Sequence, residues 1–129
     1  MCDQTVKDNR PVNLDLGTIS FPITAIASIT HRISGVIIFV ASAILLWLMD
    51  ASLESPESYA AVAQCLAHPV VKLILWAIAV GFIYHACAGV KHLIMDFGVG
   101  ETMAGGILGA RLVFGATILL SLLVGVWLW

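Results

Sequence analysis

Charge is what this chain of 129 residues has least of. Asp, Glu, Lys and Arg together make up 11% of it, where a soluble domain carries about a quarter. So few charges cannot cover a soluble globule of this size, and the implied solvent is lipid. Six Lys/Arg against eight Asp/Glu leave a net charge of −2, which excludes a nucleic-acid binder held by phosphate contacts. Cysteine is scarce too. Cys2, Cys65 and Cys87 show neither an even count nor a C-x-x-C spacing. A disulfide scaffold, a zinc site or a cysteine-ligated iron–sulfur cluster within this chain is therefore not expected. The opening residues MCDQTVKDNRPVNLDLGTIS lack the apolar core of a signal sequence, and no apolar run precedes Cys2 as a lipoprotein site would require. Internal repeats and low-complexity tracts are missing, and the length leaves no room for a separate catalytic lobe.

What the chain has in abundance is apolar side chains: 60% are hydrophobic and the mean hydropathy is +1.03. Three long, strongly apolar stretches run without Asp, Glu, Lys or Arg: Ile33–Met49 with 17 residues, Leu73–Val90 with 18, and Leu112–Trp129 with 18. At 1.5 Å per residue each covers about 26–27 Å, close to the hydrocarbon thickness of a bilayer. Pro22 and Pro69 suit the first turn of a helix and extend the first two spans backward. The expectation is an all-α membrane protein, a single domain over residues 1–129. It has an N-terminal segment at 1–21 and transmembrane helices at about 22–49, 69–95 and 104–128.

The cations orient it. Lys7, Arg10, Arg32, Lys91 and Arg111 belong to the N-terminal segment and the second loop, while only Lys72 belongs to the first loop. That asymmetry predicts a cytoplasmic N-terminus and a periplasmic C-terminus. Trp47, Trp76, Trp127 and Trp129 all fall at the outer ends of the spans, as an aromatic belt would. In the first loop, Ser55-Pro56 opens a short helix whose Tyr59, Val62, Ala63 and Leu66 form one apolar face, read as resting on the membrane surface. Gly98, Gly100, Gly105, Gly106 and Gly109 read as turn material before the third span.

Ionisable residues inside spans are costly and point to function. Ser28, His31, Arg32 and Gly35 recur at i, i+3, i+4 and i+7, early in the first span. One reading has Arg32 snorkelling to the headgroups and Ser28 bonding its own helix. The other is a polar pocket in which Arg and Ser meet a quinone oxygen or a carboxylate. In the second span, Gly81, His85 and Gly89 occur at i−4, i and i+4. Either the glycines form a packing seam, or they clear a flat patch for a porphyrin, with Nδ1–H donating to a local acceptor such as the Gly81 carbonyl and Nε2 left for iron. His92 lies on the same face, nearer the interface, where a solvated histidine is the ordinary expectation. Antiparallel spans bring both clusters to one depth near the inner surface.

With those residues in view, the chain resembles the cytochrome b membrane-anchor subunits of succinate dehydrogenase, respiratory complex II. The likeness covers most of the chain. It is carried by Arg10-Pro11-Val12-Asn13-Leu14-Asp15-Leu16, Phe21-Pro22-Ile23-Thr24-Ala25-Ile26-Ala27-Ser28-Ile29 and His31-Arg32-Ile33-Ser34-Gly35. It continues in Tyr84-His85 and Gly89-Val90-Lys91-His92-Leu93-Ile94-Met95-Asp96-Phe97-Gly98. The resemblance implies half of a heterodimeric anchor bundle in the bacterial inner membrane, joined to a second membrane-anchor subunit, an iron–sulfur subunit and a flavoprotein subunit. It implies haem b with His85 as one axial ligand and the other from the second anchor. It also implies Ser28 and Arg32 at a ubiquinone site and His31 and Arg32 at the haem propionates, with His92 and Asp96 as secondary site residues. Lys91 departs from the Arg of many relatives and keeps the charge without the planar fork. Thr30 stands before His31 where an apolar residue is expected.

Three alternatives remain at this level: a transporter subunit, a haem-free structural anchor, and a fumarate reductase anchor using menaquinone. The apolar middle of every span argues against the first. A reporter fused after Trp129 is expected on the periplasmic side, and a cytoplasmic signal would overturn the orientation.

Overall fold

The computed structural model describes residues 19–129, so Lys7, Arg10 and the Arg10–Leu16 stretch lie outside the described residues. Four helices follow in order: α1 (Ile23–Leu53), α2 (Pro56–Ala67), α3 (Pro69–Asp96) and α4 (Met103–Leu128). Of these, α1, α3 and α4 are long and apolar enough to cross a membrane. At 31, 28 and 26 residues they measure about 46, 42 and 39 Å, longer than the hydrocarbon core. The chain is a multi-pass, all-helical membrane protein.

Local chemistry sets the boundaries. The Pro22 carbonyl accepts from the Ala25 and Ile26 amides to start α1. Ser55 Oγ accepts from the Ser58 amide at 3.0 Å, with Pro56 in the first turn of α2. His68 ends α2 and begins α3: its amide donates to the Cys65 carbonyl, and its Nδ1 accepts from the Val70 amide just past Pro69. Gly98, at φ +80°, closes α3. Its amide donates to the Met95 carbonyl and the Val99 amide to that of Ile94, the paired bonds of a Schellman stop.

The glycine-rich stretch is shorter as a turn than its composition implies. Thr102 Oγ1 caps α4 by accepting from the Gly105 amide at 3.1 Å, so Gly105, Gly106 and Gly109 lie inside a helix. They serve close approach instead. A Cβ on Gly105 would stand 2.7 Å from the Gly100 Cα, and one on Gly109 would stand 3.0 Å from Lys91 Cε.

Helices α3 and α4 run antiparallel, as the pairs Lys72–Leu128, Trp76–Ser121 and Tyr84–Phe114 show. Helix α1 is antiparallel to α3, through Ser34–His85 and His31–His92. The buried positions are mostly small: Ala27, Ser34 and Ala41 on α1, Ala88 on α3, and Gly106, Ala110, Val113, Thr117 and Ser121 on α4. Large side chains such as Phe39 and Val126, 80% and 82% exposed, point outward. Lipid is as apolar as Leu, so close backbone approach, not burial of oil, holds such helices together.

The structure adds to two expectations. The α2 face of Tyr59, Val62, Ala63 and Leu66 lines an open groove of about 290 Å³ with Leu45, Leu48 and Leu75 of α1 and α3, with Tyr59 and Ala63 still exposed. The indole of Trp76 donates to the Ser121 carbonyl at 2.9 Å and packs close to Gly125, which makes it a clamp between helices.

Ala110 is fully buried in the α4 seam. Ala110→Leu is expected to lower stability by about 1–3 kcal/mol by overpacking, read as a lower unfolding temperature in detergent.

Candidate functional site

The two polar clusters meet between α1 and α3. The rings of His31 and His85 stack with centroids 4.2 Å apart and planes 21° from parallel. His92 lies beside His31, with centroids 5.3 Å apart. The residue preceding His85 ties the helices together: Tyr84 is buried, and its hydroxyl donates to the Ala27 carbonyl at 2.8 Å.

Nδ1 of His85 is 3.2 Å from the His31 carbonyl and 3.1 Å from Ser34 Oγ. A carbonyl only accepts, so Nδ1 carries the proton and Nε2 keeps its lone pair. The acceptor is thus on the neighbouring helix, not the Gly81 carbonyl that the sequence suggested. The ring passes close to α1 because Gly35 has no side chain; a Cβ there would sit 3.1 Å from His85 Cε1. On the His85 side of α3, by contrast, a Cβ at Gly81 or Gly89 would meet nothing within 4 Å. Nε2 of His31 is buried without a hydrogen-bond partner.

The α1 stripe divides. Each residue turns the helix by about 100°, so Arg32 lies about 160° around from Ser34. Ser34 is buried and His31 half-buried, whereas Arg32 is exposed, with half-buried Ser28 one turn before it. His92 and Asp96 are exposed near the end of α3. The structure therefore brings together His31, His85 and His92, and sets Ser28 and Arg32 apart, towards the outside of the bundle. Thr30 is accounted for, since its hydroxyl donates to the Ile26 carbonyl at 2.8 Å and needs no partner elsewhere.

Reasoning from sequence gave no site role to Ser34, Gly35 or Tyr84. A signal existed for Ser34: it follows His31 by three residues, one turn along the same face. Which acceptor Tyr84 finds depends on helix pairing and has no local signature.

Among the described residues no cluster of three His, Cys, Asp or Glu gathers to hold a bare metal ion. A haem asks less of this chain: one imidazole nitrogen, a clear approach and donors for its carboxylates. A free Nε2 on a held ring, open space at Gly81 and Gly89, and the unpartnered His31 Nε2 fit that requirement.

Comparison with known proteins agrees in scale. Residues 6–124 match the family of succinate dehydrogenase/fumarate reductase transmembrane subunits. A succinate dehydrogenase cytochrome b556 subunit of Coxiella burnetii is 39% identical over 121 residues, 93% of this chain and 97% of that protein. Its counterpart in Rickettsia felis is 31% identical over 123 residues, 95% and 96% of the two chains. That of Paracoccus denitrificans is 31% identical over 98 residues, 73% and 72%.

Proposed function

Since the chain belongs to the family of succinate dehydrogenase/fumarate reductase transmembrane subunits, we propose that it is the cytochrome b anchor of a bacterial succinate dehydrogenase. In that role it sits in the inner membrane and pairs with a second membrane-anchor subunit. Together they dock an iron–sulfur subunit and a flavoprotein subunit, and complete the site at which ubiquinone is reduced. The observation that carries this reading is His85: a membrane-embedded imidazole, held through Nδ1 by the neighbouring helix, with Nε2 free. The shared name of the relatives favours succinate oxidation over the reverse reaction.

His85 would hold the iron of haem b from this chain, with the second anchor supplying a further ligand. His31 would serve a propionate, as its unpartnered Nε2 supports; Arg32, expected there from the sequence as well, lies about 160° around α1 from Ser34 and is left to the quinone. When bound, haem b would supply a one-electron store.

Succinate is oxidised in the flavoprotein, and electrons come through the iron–sulfur subunit. Ubiquinone gains negative charge on its oxygens as it is reduced. Arg32, a fixed cation with several donors, stabilises that charge where it develops. Ser28, one turn away, orients the head group by donating its hydroxyl proton. Both lie off the buried face of α1, so the remaining walls of the quinone site come from partner chains. His92 and Asp96, at the inner end of α3, have secondary roles at the rim. The carboxylates within reach are exposed, so the protons that quinone reduction consumes come from water or a partner group.

His85→Ala is expected to remove or strongly perturb the haem b spectrum of the purified complex, and an unchanged spectrum overturns the ligand assignment. Arg32→Gln is expected to slow quinone reduction by about 100-fold while succinate oxidation by an artificial dye persists. Equal losses in both assays would mean failed assembly instead.

A further inference from the structure

We infer that Ser34 is a positioning residue for His85, fixing the ring and its tautomer so that Nε2 is presented as the lone-pair nitrogen. The inference rests on the proposed role of His85 as a haem ligand and adds a residue to it. Ser34 is 4% exposed, one helix away from the imidazole, and its hydroxyl has a single proton. That proton is spent on the His31 carbonyl, at 2.7 Å. Towards His85 Nδ1, at 3.1 Å, the hydroxyl can then only accept. The His31 carbonyl, at 3.2 Å, can also only accept. The His31 carbonyl thus requires Nδ1 to be protonated, and Ser34 Oγ, with its own proton on that carbonyl, accepts alongside it. The opposite tautomer would set a lone pair against a carbonyl lone pair inside the bundle, at the cost of an unsatisfied buried group.

Three features of α1 therefore seat one side chain of α3. Ser34 and the His31 carbonyl receive Nδ1–H, the His31 ring covers one face of the imidazole, and Gly35 lets the ring approach. An acceptor on the far nitrogen of a ligating histidine fixes its orientation and raises its basicity. Greater basicity favours the ferric state and lowers the midpoint potential. Removing the Ser34 hydroxyl takes away one of two acceptors and should raise that potential.

The test is a redox titration with low-temperature spectra of the assembled complex carrying Ser34→Ala, Ser34→Thr or Ser34→Cys. For Ser34→Ala the expected result is a raised midpoint potential, an altered low-spin signal and haem retention weakened by about tenfold. Ser34→Thr, which keeps the hydroxyl, should restore the native values. Ser34→Cys, close in size but a weaker acceptor, should lie between. It gives the reading if Ser34→Ala does not assemble. A purely structural role would lower the yield of complex and leave the remaining haem with native potential and spectrum. That outcome overturns the inference. His85→Ala in parallel separates the two levels. Haem retained there removes the ligand reading itself, whereas haem lost there with a native Ser34→Ala or Ser34→Cys complex removes only the role of Ser34.

Discussion

Helices in lipid gain nothing by hiding leucine from their surroundings, so what joins them must be close packing and polar bonds between them. In this chain those bonds share a direction. Among the described residues, helix α3 donates and its neighbours accept, through backbone carbonyls with a lone pair that the helix leaves free. Lys72 donates to the Leu128 carbonyl and Trp76 to that of Ser121, both on α4. Tyr84 donates to the Ala27 carbonyl and His85 to that of His31, both on α1. The N-terminal half of α3 is thus tied to α4 and the C-terminal half to α1. Small residues at Ala27, Ser34, Ala41, Gly106 and Ala110 let the backbones come near enough for these bonds to form.

The proposed site grows out of the same arrangement. His85 is at once one of the ties and the group assigned to iron, one nitrogen serving each purpose. Packing of α1 against α3 then determines how the imidazole is presented, and the site cannot loosen without loosening the bundle. Arg32 follows the opposite logic. The helical turn that buries Ser34 sends the guanidinium to the far side of α1, so the quinone chemistry assigned to it belongs to an interface.

Much of the fold was legible in the sequence because the signals are local. Charge-free runs mark the spans, Pro22, Pro56 and Pro69 mark helix starts, and Ser55 caps where its position says it should. The glycines were harder. Gly98 and Gly100 do turn the chain, but Gly105, Gly106 and Gly109 are helical, since what they answer to is a neighbouring helix or turn and not their own φ. The histidine cluster was readable as a matter of depth. Its bonding was not: the partners of His85 and Tyr84 come from a helix more than 50 residues away, and sequence spacing has no access to that. The bond of Trp76 was hidden for the same reason, since the Ser121 carbonyl reaches it only through the pairing of α3 with α4.

The helical glycines divide in a way that bears on how such a chain can drift over time. At Gly35, Gly105, Gly109 and Gly125 an added methyl would press on atoms of the chain itself, so those positions answer to its own folding. At Gly81 and Gly89 the methyl would enter open space, and nothing in the chain objects. On the proposed reading, a lineage without the haem and the second anchor would be free to vary there while holding the first set fixed. The first set of glycines thus answers to the fold of this polypeptide, and Gly81 and Gly89 only to what the proposed partners would need.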